Sequence, residues 1–144
     1  MEFYSINTKK DIDFLMDKFV YFHDSCIKEL KYISGSYVAV NRAMNPFNHK
    51  RQVSIIFQSQ MSEIPVIEMV FDAIVQLNLQ PTIGSYDSII YDASLVKINN
   101  LFYWSEWPNF RLADMKKEEG TWIIAEKVRW RALDNALGDN QIYK

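Results

Sequence analysis

The sequence predicts an α+β fold: a mostly antiparallel β-sheet of about seven strands with one N-terminal amphipathic helix packed on it. Every second position of residues 67–77 is apolar, and the positions between them mix apolar and charged side chains. A period of two with one apolar face is typical of a strand lying on a core. Helical spacing fades after residue 23, and the later connections are too short for crossover helices. We therefore expect antiparallel pairing, as a curled half-barrel or as a sandwich.

The length of 144 residues is that of one domain, and we expect residues 1–144 to form a single unit. The chain contains only four glycines and four prolines, so no flexible linker is predicted. Aromatic residues make up 15% of the sequence and supply large side chains for one core. Residues 134–144 are polar, which predicts a short terminal turn or a loosely ordered tail.

Charge and cysteine content narrow the expected partners and compartment. A formal net charge of -2 argues against nucleic acid as the main partner. No segment approaches the roughly 18 apolar residues that span a bilayer, so no membrane contact is expected. Cys26 is the only cysteine, which fits a reducing compartment, and the N-terminal residues lack the pattern of a signal peptide. We therefore expect a cytoplasmic protein of bacterial type.

The first element is an amphipathic helix. Thr8 and Asp11 resemble a capping box at its start. The apolar residues behind them recur at the spacing of one helix face, and the pattern ends near residues 21–23. This apolar stripe consists of Ile12, Leu15, Met16, Phe19 and Val20. We expect it to cover one face of the sheet.

The remaining elements are strands separated by turn residues. Residues 27–33 and 37–40 are expected to form a hairpin around the turn Ser34-Gly35-Ser36. Further strands are expected at residues 52–58, 66–77, 86–91, 94–98, 101–105 and 121–131. Asn99 and Asn100 predict a tight turn, because asparagine tolerates a positive φ. Residues 108–119 are expected to form an exposed excursion that leads into a solvated turn at residues 116–120.

His23 is the first candidate for acid–base chemistry, because it lies in the run His23-Asp24-Ser25-Cys26. In an extended segment His23 and Cys26 point to opposite faces, and catalytic triads are assembled from residues distant in sequence. The favoured interpretation is a turn that ends the helix, with Cys26 as a small buried side chain. A small hydrolase would instead need His23 to meet a sheet carboxylate, namely Glu68, Asp72 or Glu126.

Glu68 and Asp72 are the second candidates for catalysis. They lie four residues apart on one strand, so their Cα atoms are about 13 Å apart, which is too far for the carboxylate pair of a glycosidase. The favoured interpretation is a solvent-facing set of charges paired with Lys127, Arg129 or Arg131. No spacing of histidine, cysteine or acidic residues matches a zinc or calcium site, and no glycine-rich phosphate loop occurs. The sequence therefore predicts no metal and no cofactor.

Aromatic and basic residues in the C-terminal half are the candidate binding residues. They are Trp104, Trp107, Arg129 and Arg131. Trp107 precedes Pro108 in a predicted loop and is the best candidate for exposure. Trp122 and Trp130 share one face of the last strand with Glu126 in the predicted alternation, and the core is the favoured place for both.

Several segments resemble a family of small uncharacterised bacterial proteins, mostly from Gram-positive organisms. The first are the runs Phe22-His23-Asp24-Ser25-Cys26-Ile27-Lys28-Glu29-Leu30 and Ser34-Gly35-Ser36-Tyr37-Val38. Residues 57–58, 67–71, 89–93 and 128–131 fit the same likeness, which covers most of the chain. The resemblance implies no established reaction, ligand or catalytic residue. Some small proteins of this kind resemble immunity proteins that neutralise a cognate toxin.

We therefore expect a non-enzymatic binding or interaction module whose partner is a protein or a second copy of the chain. Its contact surface would be the mixed face of the sheet together with the loop at residues 104–110. The alternatives are a small hydrolase that uses His23 with a sheet carboxylate, and a small-molecule carrier with a pocket between helix and sheet.

Overall fold

The computed structural model describes residues 2–114 and 120–144, which form one α-helix, two short 3₁₀ helices and nine strands. The 3₁₀ helices are Val20–Phe22 and Leu112–Asp114. The helix α1 is Lys9–Lys18. The strands are β1 Tyr4–Ile6, β2 Ser25–Ile33, β3 Tyr37–Val38, β4 Met44–Asn45, β5 Gln52–Ser59, β6 Val66–Asn78, β7 Ser94–Ile98, β8 Leu101–Ser105 and β9 Trp122–Ala132. The expected turn at residues 116–120 falls mostly on residues 115–119, which lie outside the described residues.

Seven strands form one open sheet in the order β2-β5-β6-β9-β8-β7, and β1 pairs with the far end of β9. Each pairing in this sheet is antiparallel. β3 and β4 form a separate two-stranded ribbon. The predicted α+β fold class is confirmed. The seven strands of the main sheet do not close into a barrel.

The N-terminal helix lies on one face of the sheet, as predicted. The Thr8 hydroxyl oxygen accepts the Asp11 N–H, and the Asp11 carboxylate accepts the Thr8 N–H, so the capping box is complete. The buried helix residues Ile12, Leu15 and Met16 join a core made with β5, β6, β8 and β9. The rings of Phe22, Phe57 and Trp104 pack together at the centre of this core. The helix–sheet interface is therefore filled by side chains.

The strand β6 changes face midway, which corrects one prediction. Phe71 is buried as expected, but Val75, expected on the same face, is 55% exposed. The cause is a backbone irregularity at Ala73, which has a φ of 53°, followed by a register shift between Ile74 and Gln76. The core position that the alternation assigns to Ala73 is consequently taken by Ile74.

The strand β9 changes face at the same level, so the predicted alternation of its tryptophans was wrong. Glu126 and Lys127 are consecutive and both exposed. Ala125 before them and Val128 after them both face the main core. Trp130 lies in that core, whereas Trp122 lies in a second cluster with Tyr103 on the other face. Both tryptophans are buried, but on opposite sides of the sheet.

One predicted strand pairing and one predicted strand are absent from the described residues. Residues 37–40 do not return along β2, because β2 pairs with β5 and Tyr37–Val38 pairs with Met44–Asn45. Residues 86–91 form no strand and contribute a single bridge between Ile90 and Ser25. By contrast, the β7–β8 hairpin forms as predicted around Asn99 and Asn100, whose φ values are 50° and 66°.

Residues 134–144, which we call the C-terminal tail, contain no helix or strand and yet are fixed to the outer face of the sheet. The Gln58 side chain donates to the carbonyl oxygens of Ala136 and Gly138, each at 3.0 Å. The Glu29 carboxylate accepts the N–H groups of Ile142 and Tyr143 at 2.8 and 2.7 Å. These side-chain partners hold the backbone of the tail against the sheet.

Candidate functional site

His23 lies at the end of the helical segment and does not meet the carboxylates expected for a hydrolase. Its Nδ1 donates to the Tyr91 carbonyl oxygen at 2.6 Å, and Asp24 and Asp92 each approach the ring at 3.6 Å. The backbone hydrogen bond to Tyr91, with the two carboxylates, raises the pKa of His23 above its ordinary value. Glu68 and Asp72 pair with other side chains and not with His23. The contacts of His23 with Tyr91 and Asp92 hold it against the segment at residues 91–92.

Glu68 and Asp72 form ion pairs across the β6–β9 ladder, as expected, but Glu68 is buried and does not face solvent as the sequence predicted. Arg131 Nε and Nη2 both lie 2.9 Å from Glu68 Oε1, and Arg129 donates to Asp72. The Phe3 ring lies against both guanidinium groups, with centroid distances of 4.6 Å to Arg131 and 4.9 Å to Arg129. Arg129 and Arg131, predicted as binding residues, are therefore engaged within the chain.

Tyr143 of the C-terminal tail completes this polar arrangement on the outer face. Its hydroxyl donates to Glu68 Oε2, and Lys31 lies 4.8 Å from the centre of its ring. Burial and the contact with Glu68 raise the pKa of the Tyr143 hydroxyl, which keeps it a donor. The hydrogen bonds from Tyr143 and Ile142 lower the pKa of Glu29. The tail thus covers the part of the mixed sheet face that surrounds Glu68.

The two tryptophans predicted to bind a partner lie in different surroundings. Trp104 is fully buried in the main core, so its ring is not available at the surface. Trp107 is half-buried and packs against the cluster of Tyr103 and Trp122. Its carbonyl oxygen accepts the hydroxyls of Ser94 and Ser105, which fixes the start of the loop. Of the two tryptophans in the predicted loop at residues 104–110, only Trp107 therefore has part of its indole ring exposed to solvent.

A shallow groove of about 190 Å³ lies beside the segment at residues 79–90. It is lined by Ile27, Ile89 and Ile90 on one side and by Glu106 and Thr121 on the other. The Glu106 carboxylate accepts the Thr121 N–H at 3.0 Å, so one of its oxygens is occupied. The groove is smaller than the roughly 300 Å³ at which ordinary ligand pockets begin.

The strongest candidate site is the segment between β2 and β5. We call residues 34–51 the arm. It projects from the sheet as the β3–β4 ribbon and carries five large apolar side chains that are exposed to solvent. These are Tyr37, Val38, Val40, Met44 and Phe47. Val38 and Met44 are cross-strand partners and so share one face of the ribbon. Exposed apolar clusters of this kind mark interaction surfaces.

The arm is held in one conformation by its own hydrogen bonds. The Ser34 carbonyl oxygen accepts the N–H groups of Lys50 and Arg51 at 3.1 and 3.0 Å, which closes the base of the arm. The Ser36 hydroxyl donates to the Asn48 side chain. At the tip, Ala39 and Ala43 are joined at 2.8 Å by a backbone hydrogen bond. The exposed side chains are therefore presented on an ordered scaffold.

Gly35 is required at the base of the arm, and we expect Gly35→Ala to destabilise the protein. Its φ is 96°, and an added Cβ would lie 2.8 Å from the Lys50 backbone nitrogen. Conformational strain and this contact together predict a loss of about 2 kcal/mol in the free energy of unfolding, measured by urea denaturation.

Gly138→Ala is the matched control. Gly138 also has a positive φ of 114°, but an added Cβ there meets nothing within 4 Å. We expect this variant to lose about 1 kcal/mol, from conformational strain alone. Equal losses for the two variants would contradict a close approach at Gly35.

Sequence reasoning missed the arm because the apolar residues at 37–40 were interpreted as a strand of the main sheet. The run Ser34-Gly35-Ser36 and the later Asn45-Pro46 were both visible as turns. Two turns with only eight residues between them leave room for a small ribbon, but not for a strand that matches the nine residues of β2. Turn spacing was therefore the signal that could have identified the arm.

No protein-family model matches this chain, and neither the curated proteins nor the solved structures contain a match. The resemblance to small bacterial proteins therefore stays a prediction. Along the part of the chain that the structure describes, no helix is long and apolar enough to cross a membrane. Within residues 2–114 and 120–144, no group of three or more histidine, cysteine or acidic side chains is placed to hold a metal ion.

Proposed function

We propose that this protein is a non-enzymatic binding module that contacts a protein partner through the arm. The observation that carries the proposal is the group of exposed apolar side chains on an ordered ribbon. Burying such side chains favours association, since each removes apolar surface from water. An ordered scaffold also lowers the entropy lost on binding. Aromatic residues and methionine, both found on the arm, are enriched in protein interfaces.

The proposal moves the contact surface away from the residues that the sequence favoured. The C-terminal tail covers the mixed sheet face around Glu68, and Trp104 is buried. Trp107 keeps part of its ring exposed and remains the alternative contact residue. The arm therefore supplies the surface that the predicted interaction needs, in a protein that we place in the cytoplasm, where the lone Cys26 stays reduced.

Phe47→Ser should weaken binding of the partner, and Tyr86→Ser should not. The two side chains are matched in exposure, at 77% and 80%, but only Phe47 lies on the arm. The variants and the wild type would serve as baits in a lysate of the source cell, and each captured protein would be purified for affinity measurement. We expect Phe47→Ser to weaken binding of the captured partner about tenfold, the effect of losing about 1.4 kcal/mol of contact.

Three outcomes would contradict the proposal. The first is that wild type captures nothing above background. The second is that Phe47→Ser and Tyr86→Ser retain the same partner with the same affinity. The third is that Trp107→Ala removes the partner while Phe47→Ser keeps it, which would make the loop at residues 104–110 the contact surface. Thermal unfolding of each variant shows whether a loss of binding is a loss of folding.

A further inference from the structure

Charge is distributed very unevenly around the arm. Residues 30–62 contain four of the sixteen basic residues and none of the eighteen acidic residues. The formal net charge of -2 therefore divides into +4 for this segment and -6 for the rest of the chain. The four basic residues are Lys31, Arg42, Lys50 and Arg51. The arm itself thus contains three of these basic residues, Arg42, Lys50 and Arg51, and no acidic residue, in a chain that is acidic overall.

Two of these four charges are available to a partner. Arg51 donates to the Ile74 carbonyl oxygen at 3.0 Å and lies 3.6 Å from Glu126. Lys31 lies over the Tyr143 ring. Arg42 and Lys50 are exposed, and no ion pair within residues 2–114 and 120–144 involves either of them. Their charges therefore face solvent beside the apolar side chains of the arm.

We propose that the arm docks onto an acidic surface of a different protein. Arg42 and Lys50 pair with carboxylates of that protein, and Val38, Met44 and Phe47 bury against its apolar side chains. This inference rests on the proposed function and adds the chemistry of the partner. Charge complementarity of this kind raises the rate of association and excludes basic partners.

The composition of the arm favours a protein over nucleic acid. Binding to a phosphate backbone depends on many lysine and arginine contacts, whereas the arm has only two available cations. Single-stranded nucleic acid is bound by a positively charged groove together with aromatic rings, and the two available cations beside Tyr37 and Phe47 do not form such a groove. The exposed surface of the arm includes the aliphatic side chains of Val38, Val40 and Met44, which pack against apolar side chains instead.

A second copy of the chain fits this surface less well than a different protein. Two arms facing each other would bring the same positive charges together, which costs association energy. An arm placed against the acidic remainder of another copy would be a head-to-tail contact, which leads to a ring or an open filament. A different protein with an acidic surface can pair with the positive charges and bury the apolar side chains of the arm, and it does not lead to a ring or a filament.

Photo-crosslinking identifies what the arm touches. A benzophenone amino acid placed at position 40 of the full chain would be irradiated in lysate, because Val40 is fully exposed at the tip of the arm. We expect the crosslinked peptide to come from another protein and to lie on a surface of net negative charge. A crosslink to nucleic acid, to a second copy of this chain or to a neutral or basic surface would overturn the proposal.

Affinity measurements with the purified crosslinked protein then test the charges. Binding should weaken about tenfold or more for the double variant Arg42→Glu/Lys50→Glu, and it should also weaken as salt is raised from 50 to 500 mM. Lys10→Glu, an exposed charge reversal on α1, is the matched control and should leave binding unchanged. Arg42→Lys should retain most of the affinity, since it keeps the charge.

The outcomes separate the two proposals. If Phe47→Ser weakens binding but charge reversal and salt do not, the arm is the contact surface and its partner is not recognised by acidity. If neither the apolar nor the charge variants change the affinity, both proposals fail. Circular dichroism should show unchanged folding for Arg42→Glu/Lys50→Glu, because both side chains are exposed.

Discussion

Trp104→Ala should lower the free energy of unfolding by about 3–5 kcal/mol, the range for removing a large aromatic side chain from a core. Trp104 is 0% exposed, and its ring packs against Phe22 and Phe57 at centroid distances of 5.8 and 5.3 Å. Alanine would leave a cavity bounded by β5, β8 and the segment after α1. Because a typical domain is stable by only about 5–15 kcal/mol, this loss is a large part of the total.

Trp104→Phe is the informative companion of this variant. Among the described residues, the buried Trp104 Nε1 has no hydrogen-bond partner. Phenylalanine keeps an aromatic ring in the core and removes this unpaired donor, whose burial is unfavourable by about 1–3 kcal/mol. We expect a loss well under half of that for Trp104→Ala, measured by urea denaturation for both variants. Equal losses for phenylalanine and alanine would show that the packing around the ring does not set the stability.

The prediction of the fold from sequence succeeded where the determining signal was local. The capping box of Thr8 and Asp11 marks the start of α1 within four residues of sequence. The Asn99-Asn100 turn sets the β7–β8 hairpin, since both residues adopt the positive φ that a two-residue turn needs. In each case neighbouring side chains satisfy backbone geometry without help from the rest of the chain.

Prediction failed where a distant contact decided the local geometry. The alternation of β6 predicts Val75 in the core, but the bulge at Ala73 turns the strand over. The Ile74 N–H donates to the Arg51 carbonyl oxygen, 23 positions earlier in the sequence. The alternation of apolar residues within residues 67–77 cannot predict that contact. The same reasoning applies to the arm, whose strands pair with each other because β2 is already paired with β5.

The candidate site was predicted least well, because its exposure depends on what covers each surface. Glu68 and Tyr143 are 75 residues apart in the sequence, yet their contact places the tail over the sheet face around Glu68. The arm remains uncovered, because no other part of the described chain packs on its apolar tip. A pattern of residue types identifies which side chains are apolar or charged, but only the assembled fold determines which of them reach solvent.

Glu68→Leu should be the most destabilising single change on the outer face of the sheet. The Glu68 side chain is only 8% exposed, and it accepts from Arg131 and from the Tyr143 hydroxyl. Leucine leaves both donors without their acceptor. Breaking a buried pair in this way costs about 3–5 kcal/mol, and we expect about 2–3 kcal/mol here because the Arg131 side chain is 33% exposed and can regain water.

The companion of Glu68→Leu is the triple variant Glu68→Leu/Arg131→Met/Tyr143→Phe. Replacing a whole buried polar group by apolar side chains of similar size is often neutral, because no donor or acceptor is then left unpaired. We expect the triple variant to recover most of the stability lost by Glu68→Leu in urea denaturation. Amide hydrogen exchange at Ile142 and Tyr143 should accelerate in the single variant, because Tyr143 then loses its hydroxyl contact with the sheet. A triple variant less stable than Glu68→Leu would show that the charges themselves stabilise this face, rather than the requirement that each buried polar group has a partner.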